Sequence, residues 1–202
     1  MEPEVMSNHL EFYFDVSSPY SYLSAVRLHR LAETCEVSIH WKPFLLGGVF
    51  RSVGNVMPAA LPARGRYLLK DLERCAQKED IPFTFSSSFP HNSLRAMRAL
   101  TAAHPTELIT LSLAVFRGAW VENQNISDPT VLMALLGERG PSLIQAAEDP
   151  RIKEELKTTT AAAVDHGAFG APSFVVQDEL FWGNDRLLMA LEAAQSAKSD
   201  GK

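Results

Sequence analysis

The chain has 202 residues, 46% of them hydrophobic and 21% charged, with a formal net charge of −5. That length suits one globular domain, or a domain with a large insertion, and is enough to bury a substantial core. The acidic balance argues against a broad nucleic-acid or anionic-membrane surface, and no run of about 18 apolar residues exists to span a membrane. The start, Met1-Glu2-Pro3-Glu4, is acidic and lacks a hydrophobic signal core. Cys35 and Cys75 form no close pair and read as core thiols. A soluble cytoplasmic protein is the expectation.

Residues 9–15 run apolar and predict a strand. Residues 19–33 carry Leu23, Val26, Leu28 and Leu31 at helical spacing, and Val37-Ser38-Ile39-His40-Trp41 alternates as a second strand, giving a βαβ unit. Residues 44–60 are rich in Gly, Pro and Asn and predict an ordered loop. A helix is predicted at 64–79 and a connection at 81–90, where Pro82, Pro90 and three serines fall. Further helices follow at 92–103, 106–121, 128–138, 141–147 and 150–165. Pro172–Gln177 reads as a strand, Asp178-Glu179 as a turn, Leu180-Phe181-Trp182 as another strand, and 184–197 as the last helix. The pattern is an α/β core, 9–50 and 166–198, interrupted by a helical insertion over 51–165.

Where the first strand meets the first helix, Ser18 sits at the N-cap and Pro19 at N1. A hydroxyl there lies in the positive field of a helix N-terminus and favours an anion, although a plain cap is the rival reading. Asn55 falls in a Gly-Asn turn, where asparagine tolerates a left-handed backbone. Ala171-Pro172 precedes a strand, with a cis or a trans bond both open. Asn184 and Asp185 open the last helix and either cap it or bind a ligand. Asn92 reads as a cap, His166 as a cation at a helix end, and Trp120 and Trp182 as core or pocket wall. The six histidines show no metal-ligand spacing, so no metal is implied.

Several short motifs occur in order. They are Phe14-Asp15-Val16 with Ser18-Pro19-Tyr20-Ser21, Pro43–Gly48, Ser52–Asn55, Leu61-Pro62, Ala96-Met97-Arg98, Gly167–Pro172 and Gly183–Arg186. The series resembles a thioredoxin-like fold with a large α-helical insertion, as in DsbA-like oxidoreductases. Their C-x-x-C site is replaced here by Ser18-Pro19-Tyr20-Ser21, and dithiol exchange needs two sulfurs. A serine at this place resembles kappa-class glutathione transferases and 2-hydroxychromene-2-carboxylate isomerases.

That resemblance implies glutathione as cofactor or co-substrate. By it, Ser18 hydrogen-bonds the glutathione sulfur, Asn55 binds the tripeptide, and the backbone of Ala171, before Pro172, pairs with it as an added strand. Asn184 and Asp185 then contact the γ-glutamyl end, and Arg64, a looser match, lies near the glycyl carboxylate. The implied activity is isomerisation of an aromatic-degradation intermediate or conjugation of glutathione to an electrophile. The stretch Leu45–Leu61 is closer to the transferase branch. A non-catalytic binding module is the reading from another class. A homodimer is implied by the family alone.

Overall fold

The computed structural model describes residues 9–31, 34–57 and 61–197. The acidic N-terminus, the last two residues of the helix predicted at 19–33, residues 58–60 of the predicted loop and the tail from 198 lie outside the described residues. Strands β1 (His9–Phe14) and β2 (Ser38–Pro43) pair in parallel, joined through helix α1 (Pro19–Leu31). Strand β3 (Ser173–Val176) pairs antiparallel with β1, and β4 (Glu179–Trp182) with β3, so the sheet order is β2-β1-β3-β4. Between β2 and β3 run α2 (Leu46–Val53), α3 (Pro62–Lys78), α4 (Leu94–Thr101), α5 (Pro105–Trp120), α6 (Pro129–Leu135), α7 (Gly140–Ala146) and α8 (Pro150–Asp165). Helix α9 (Leu187–Ser196) ends the fold. This is the DsbA-like thioredoxin architecture with its helical insertion.

The pleat of β1 sorts its side chains onto two faces. Leu10, Phe12 and Phe14 join the main core with residues of α1, α3, α4, α5 and α9, so the sheet and the inserted helices share one interior. Phe12 stacks on Phe174 at 5.4 Å and meets Trp41 edge-on at 5.0 Å. Tyr13 faces the other way, into a smaller cluster with Phe44, Val49, Ala163 and Ala168.

Proline sets several helix starts. Pro105, Pro129 and Pro150 each follow a residue whose side chain accepts from the N–H of the helix's second residue: His104, Asp128 and Asp149. The first residue of α7 is Gly140, where a larger residue does not fit because a Cβ would run into the Met133 carbonyl oxygen.

The predicted loop at 44–60 contains α2, which its Gly47-Gly48 pair disguises. Tertiary contacts overrule the weak propensity. The N–H of Leu46 finds its acceptor in the buried Asp15 carboxylate at 2.8 Å, and the N–H of Leu45 donates to Thr160 Oγ1 at 2.9 Å. Gly54 ends the helix at φ 68°, so the left-handed residue is Gly54 and not Asn55. At the far end, residues 184–186 form a 3₁₀ turn and α9 starts only at Leu187. The β3–β4 turn is centred one residue earlier than predicted, with Gln177 at φ 55° and Glu179 already in β4.

Trp120 is fully buried and donates its indole N–H to the Val16 carbonyl at 2.9 Å. Trp182, expected in the core or a pocket wall, is 46% exposed and packs only on Phe169 at 4.5 Å among the ring contacts of the described residues. Cys35 and Cys75 are free and half-buried. Among the described residues, no helix is long and apolar enough to cross a membrane.

Candidate active site

The turn after β1 places Ser18 at the first turn of α1, 4% exposed. Its N–H donates to the Asp15 carbonyl at 2.9 Å, and its own carbonyl receives Tyr22 N–H at 3.1 Å. The hydroxyl plays two parts. It accepts from Ser21 N–H at 3.2 Å, which caps the helix, and it donates to the Ala171 carbonyl at 3.1 Å, across 153 residues of chain. The Ala171-Pro172 peptide bond is cis. The predicted cap and the predicted strand-forming backbone are therefore one hydrogen-bonded unit.

Ser21, one turn on, is fully buried, and its hydroxyl has no partner among the described residues. It occupies the second sulfur position of the redox relatives without any redox group. Ser21→Ala is expected to leave the fold intact and to raise stability by up to about 1 kcal/mol, because an unpaired buried hydroxyl is removed. Thermal denaturation checks this, and a loss of stability would show that the hydroxyl does have a partner.

Asp15 anchors the site from below. It is fully buried, and its carboxylate accepts from Ser17 N–H and Ser17 Oγ at 2.9 Å each and from Leu46 N–H at 2.8 Å, with Ser93 also donating. Burial pushes its pKa above the ordinary aspartate range, and these hydrogen bonds pull partly against that shift. Sequence reasoning treated Asp15 only as part of a motif. The signal was an acid inside an otherwise apolar strand end.

Asn55 lies just past α2, where its N–H closes the helix on Phe50 O at 2.9 Å. Its side-chain amide donates to the Phe169 carbonyl at 3.0 Å, two residues before Ala171. Arg64 is exposed in the first turn of α3 and lines a cavity of about 370 Å³ with Tyr20, Ala63, Tyr67 and Leu68. The spacing 64, 67, 68, 71 puts these side chains and Asp71 on one face of α3. Tyr20 crosses to that face and donates to Asp71 Oδ2 at 2.6 Å, a tie between α1 and α3 that the sequence did not reveal. Burial, then Asp71, raises the Tyr20 pKa, so the phenol stays protonated. A larger cavity, about 460 Å³, runs along β2 and contains none of the predicted site residues.

Asn184 is 7% exposed and does not cap α9 with its side chain. Its amide oxygen accepts from Ser24 Oγ at 3.0 Å and Arg27 Nη1 at 3.1 Å, and its main-chain carbonyl accepts from Arg27 at 2.8 Å. The acceptor side of Asn184 is thus committed to α1, and its amide N–H₂ is the part suited to donate to a ligand. Asp185 projects outward, 72% exposed, beside Arg186 at 2.8 Å. Ser24 follows Ser18 by six residues, about 9 Å of helix, and an extended tripeptide spans about 10 Å. Ser18 thus meets Ala171, and Ser24 meets Asn184, along the same helix.

This fold and this hydroxyl-bearing turn have relatives. Residues 9–195 match the family described as a DSBA-like thioredoxin domain. The human glutathione S-transferase kappa 1 is 32% identical over 196 residues, covering 88% of this chain and 87% of the human one. The 2-hydroxychromene-2-carboxylate isomerase of Pseudomonas putida is 31% identical over 190 residues, 92% and 93% of the two chains. A solved structure of a 2-hydroxychromene-2-carboxylate isomerase superposes with a TM-score of 0.81 at 31% identity, covering 93% of this chain and 94% of that one. The chain belongs to the DsbA-like family, in the branch of kappa-class glutathione transferases and 2-hydroxychromene-2-carboxylate isomerases. These relatives are enzymes acting on small molecules by name. In this member of the branch, both positions of the redox motif are hydroxyls, and the half-buried thiol Cys75 is pushed up in pKa by desolvation and by Asp71, which disfavours its reactive thiolate.

Proposed function

We propose that this protein is a glutathione-dependent isomerase acting on 2-hydroxychromene-2-carboxylate or a similar aromatic-degradation intermediate. The observation that carries the proposal is the Ser18 hydroxyl, held at the N-terminus of α1 against the Ala171 carbonyl. The set of polar groups suits glutathione: Ser18 for the sulfur, Ala171 for an extended backbone, Asn184 N–H₂ for a carboxylate, Asp185 to accept from an ammonium, and Arg64 for the far carboxylate. Glutathione supplies a thiolate that adds to the substrate and leaves it again, which permits rotation about a former double bond.

The chain's own part is to favour the anionic sulfur. A peptide N–H that pairs with the Ala171 carbonyl releases the Ser18 hydroxyl to donate elsewhere. The N-terminal field of α1 acts in the same direction. Asn55, tied to Phe169, positions the loop that presents Ala171. A cytoplasmic location, where reduced thiols are maintained, and assembly as a homodimer belong to the same proposal. Sedimentation at assay concentration checks the dimer.

A second reading, a kappa-type transferase that consumes glutathione, is favoured by the similarity to the human relative. One assay separates the two. Purified protein with glutathione and the chromene carboxylate is followed by absorbance, and conversion to the trans open-chain pyruvate product without loss of glutathione is expected. Conjugation of a model electrophile without isomerisation would move the assignment to the transferase. Absence of glutathione binding by calorimetry would remove both and leave a binding module.

A further inference from the structure

At the opposite end of β1 from Ser18, His9, Glu11 and His40 each bring one ligand atom to within 4.8 Å of the others. The sheet makes this cluster. His9 and Glu11 are two apart on β1 and project from the same face, and Glu11 is the register partner of His40 on the parallel strand β2. The imidazoles of His9 and His40 lie face to face, with centroids 4.9 Å apart and 20° between planes. Tyr13 donates its hydroxyl to Glu11 Oε2 at 2.7 Å and so fixes the carboxylate from behind, as outer partners do for metal-binding carboxylates. Ser38 Oγ lies 3.2 Å from His40 Nε2 and steadies that ring. The competing group is Lys42, whose Nζ is 3.2 Å from Glu11 Oε1 and whose side chain, 38% exposed, is free to turn toward solvent.

We propose that His9, Glu11 and His40 bind a divalent first-row transition-metal ion, with Zn²⁺ the best match to two imidazoles and a carboxylate. Bonds of about 2 Å in a tetrahedron set ligand atoms about 3.3 Å apart, so closure from within 4.8 Å needs side-chain adjustments of about 1.5 Å or less, and His40 is exposed. Two nitrogen ligands disfavour Mg²⁺ and Ca²⁺, which take oxygen. Water completes the coordination. The bound ion clips β1 to the edge strand β2. Three to five strand steps, about 10–17 Å, separate Glu11 and His9 from Phe14, so the site lies apart from Ser18. Spacing along the chain hides the cluster because only the β1–β2 pairing brings His40 to Glu11.

The test is a calorimetric titration of ZnCl₂ into thiol-free buffer, with wild-type protein and with a Cys35→Ser, Cys75→Ser background that removes sulfur ligands. One equivalent is expected to bind in both, and Zn²⁺ to raise the melting temperature. His40→Gln and Glu11→Gln should each weaken binding by at least about tenfold. Lys42→Met should tighten it, since the metal no longer displaces a lysine. Circular dichroism confirms that each variant is folded. Equal affinity of the wild-type and His40→Gln proteins, binding that vanishes in the cysteine-free background, or no saturable binding by Lys42→Met overturns the proposal. Glutathione binding is expected to be the same with and without Zn²⁺.

Discussion

Ser18→Ala is expected to lower glutathione-dependent turnover at neutral pH by about ten- to a hundredfold while the far-ultraviolet circular dichroism stays unchanged. A hydrogen bond to a charged partner contributes about 1.5–3 kcal/mol, and each 1.36 kcal/mol is a factor of ten. The lost donor raises the pKa of the bound thiol toward its free value of about 8.5. Turnover of the variant should therefore recover as pH rises through that value, which a merely structural role would not produce. The same variant loses the α1 cap and the link to Ala171, and urea unfolding should register about 1–2 kcal/mol. If stability falls but turnover at neutral pH does not, the serine is only a cap and the thiolate assignment fails.

Asp15→Ala is expected to destabilise the protein by about 3–5 kcal/mol, among the largest effects of any single change here. The variant strands buried donors from Leu46 and Ser93 and loosens Ser17. Because Leu46 begins α2 and Asn55 follows its end, the loss should reach glutathione affinity as well as stability. Asp15→Asn removes one acceptor oxygen and should cost less. The pH dependence has a definite sign. The folded pKa of Asp15 is raised, so the folded state binds this proton more tightly than the unfolded chain does. That contribution is fully present below the ordinary aspartate value of about 3.9 and is lost as pH rises through the folded value. Urea unfolding of wild type and Asp15→Asn across acidic pH should show wild type losing stability relative to the variant over that window. A difference that grows in favour of wild type with rising pH would refute it.

Much of the fold was legible because its signals are local. Prolines after His104, Asp128 and Asp149 mark helix starts by chemistry that acts within three residues. The runs at 9–15 and 172–177 are short, largely apolar and bounded by turn residues, as buried strands are. Helix α2 was not legible, since two of its residues are glycines and its first N–H is satisfied by Asp15, 31 residues away. Trp182 reads as core or pocket wall, but it ends the edge strand β4, stays half exposed and meets Phe169. Asn184 reads as either a cap or a ligand-binding residue, and of the two the structure removes the side-chain cap by locking its oxygen onto Ser24 and Arg27. Such pairings depend on which surfaces meet, which no window of sequence contains.

The sequence by itself determined the kind of chemistry available. A hydroxyl stands at each sulfur position of the redox motif, at the start of a helix, so no internal dithiol can act and any thiol must come from outside. Only the tertiary structure decided where that hydroxyl points. It donates to Ala171 because the parallel β1–β2 unit and the antiparallel β3 place residues 18 and 171 side by side at one end of the sheet. The same pairing gathers His9, Glu11 and His40 at the other end. Hydrogen bonds act over about 3 Å and metal ligation over about 2 Å, and approaches of that size between remote residues exist only once the strands are registered.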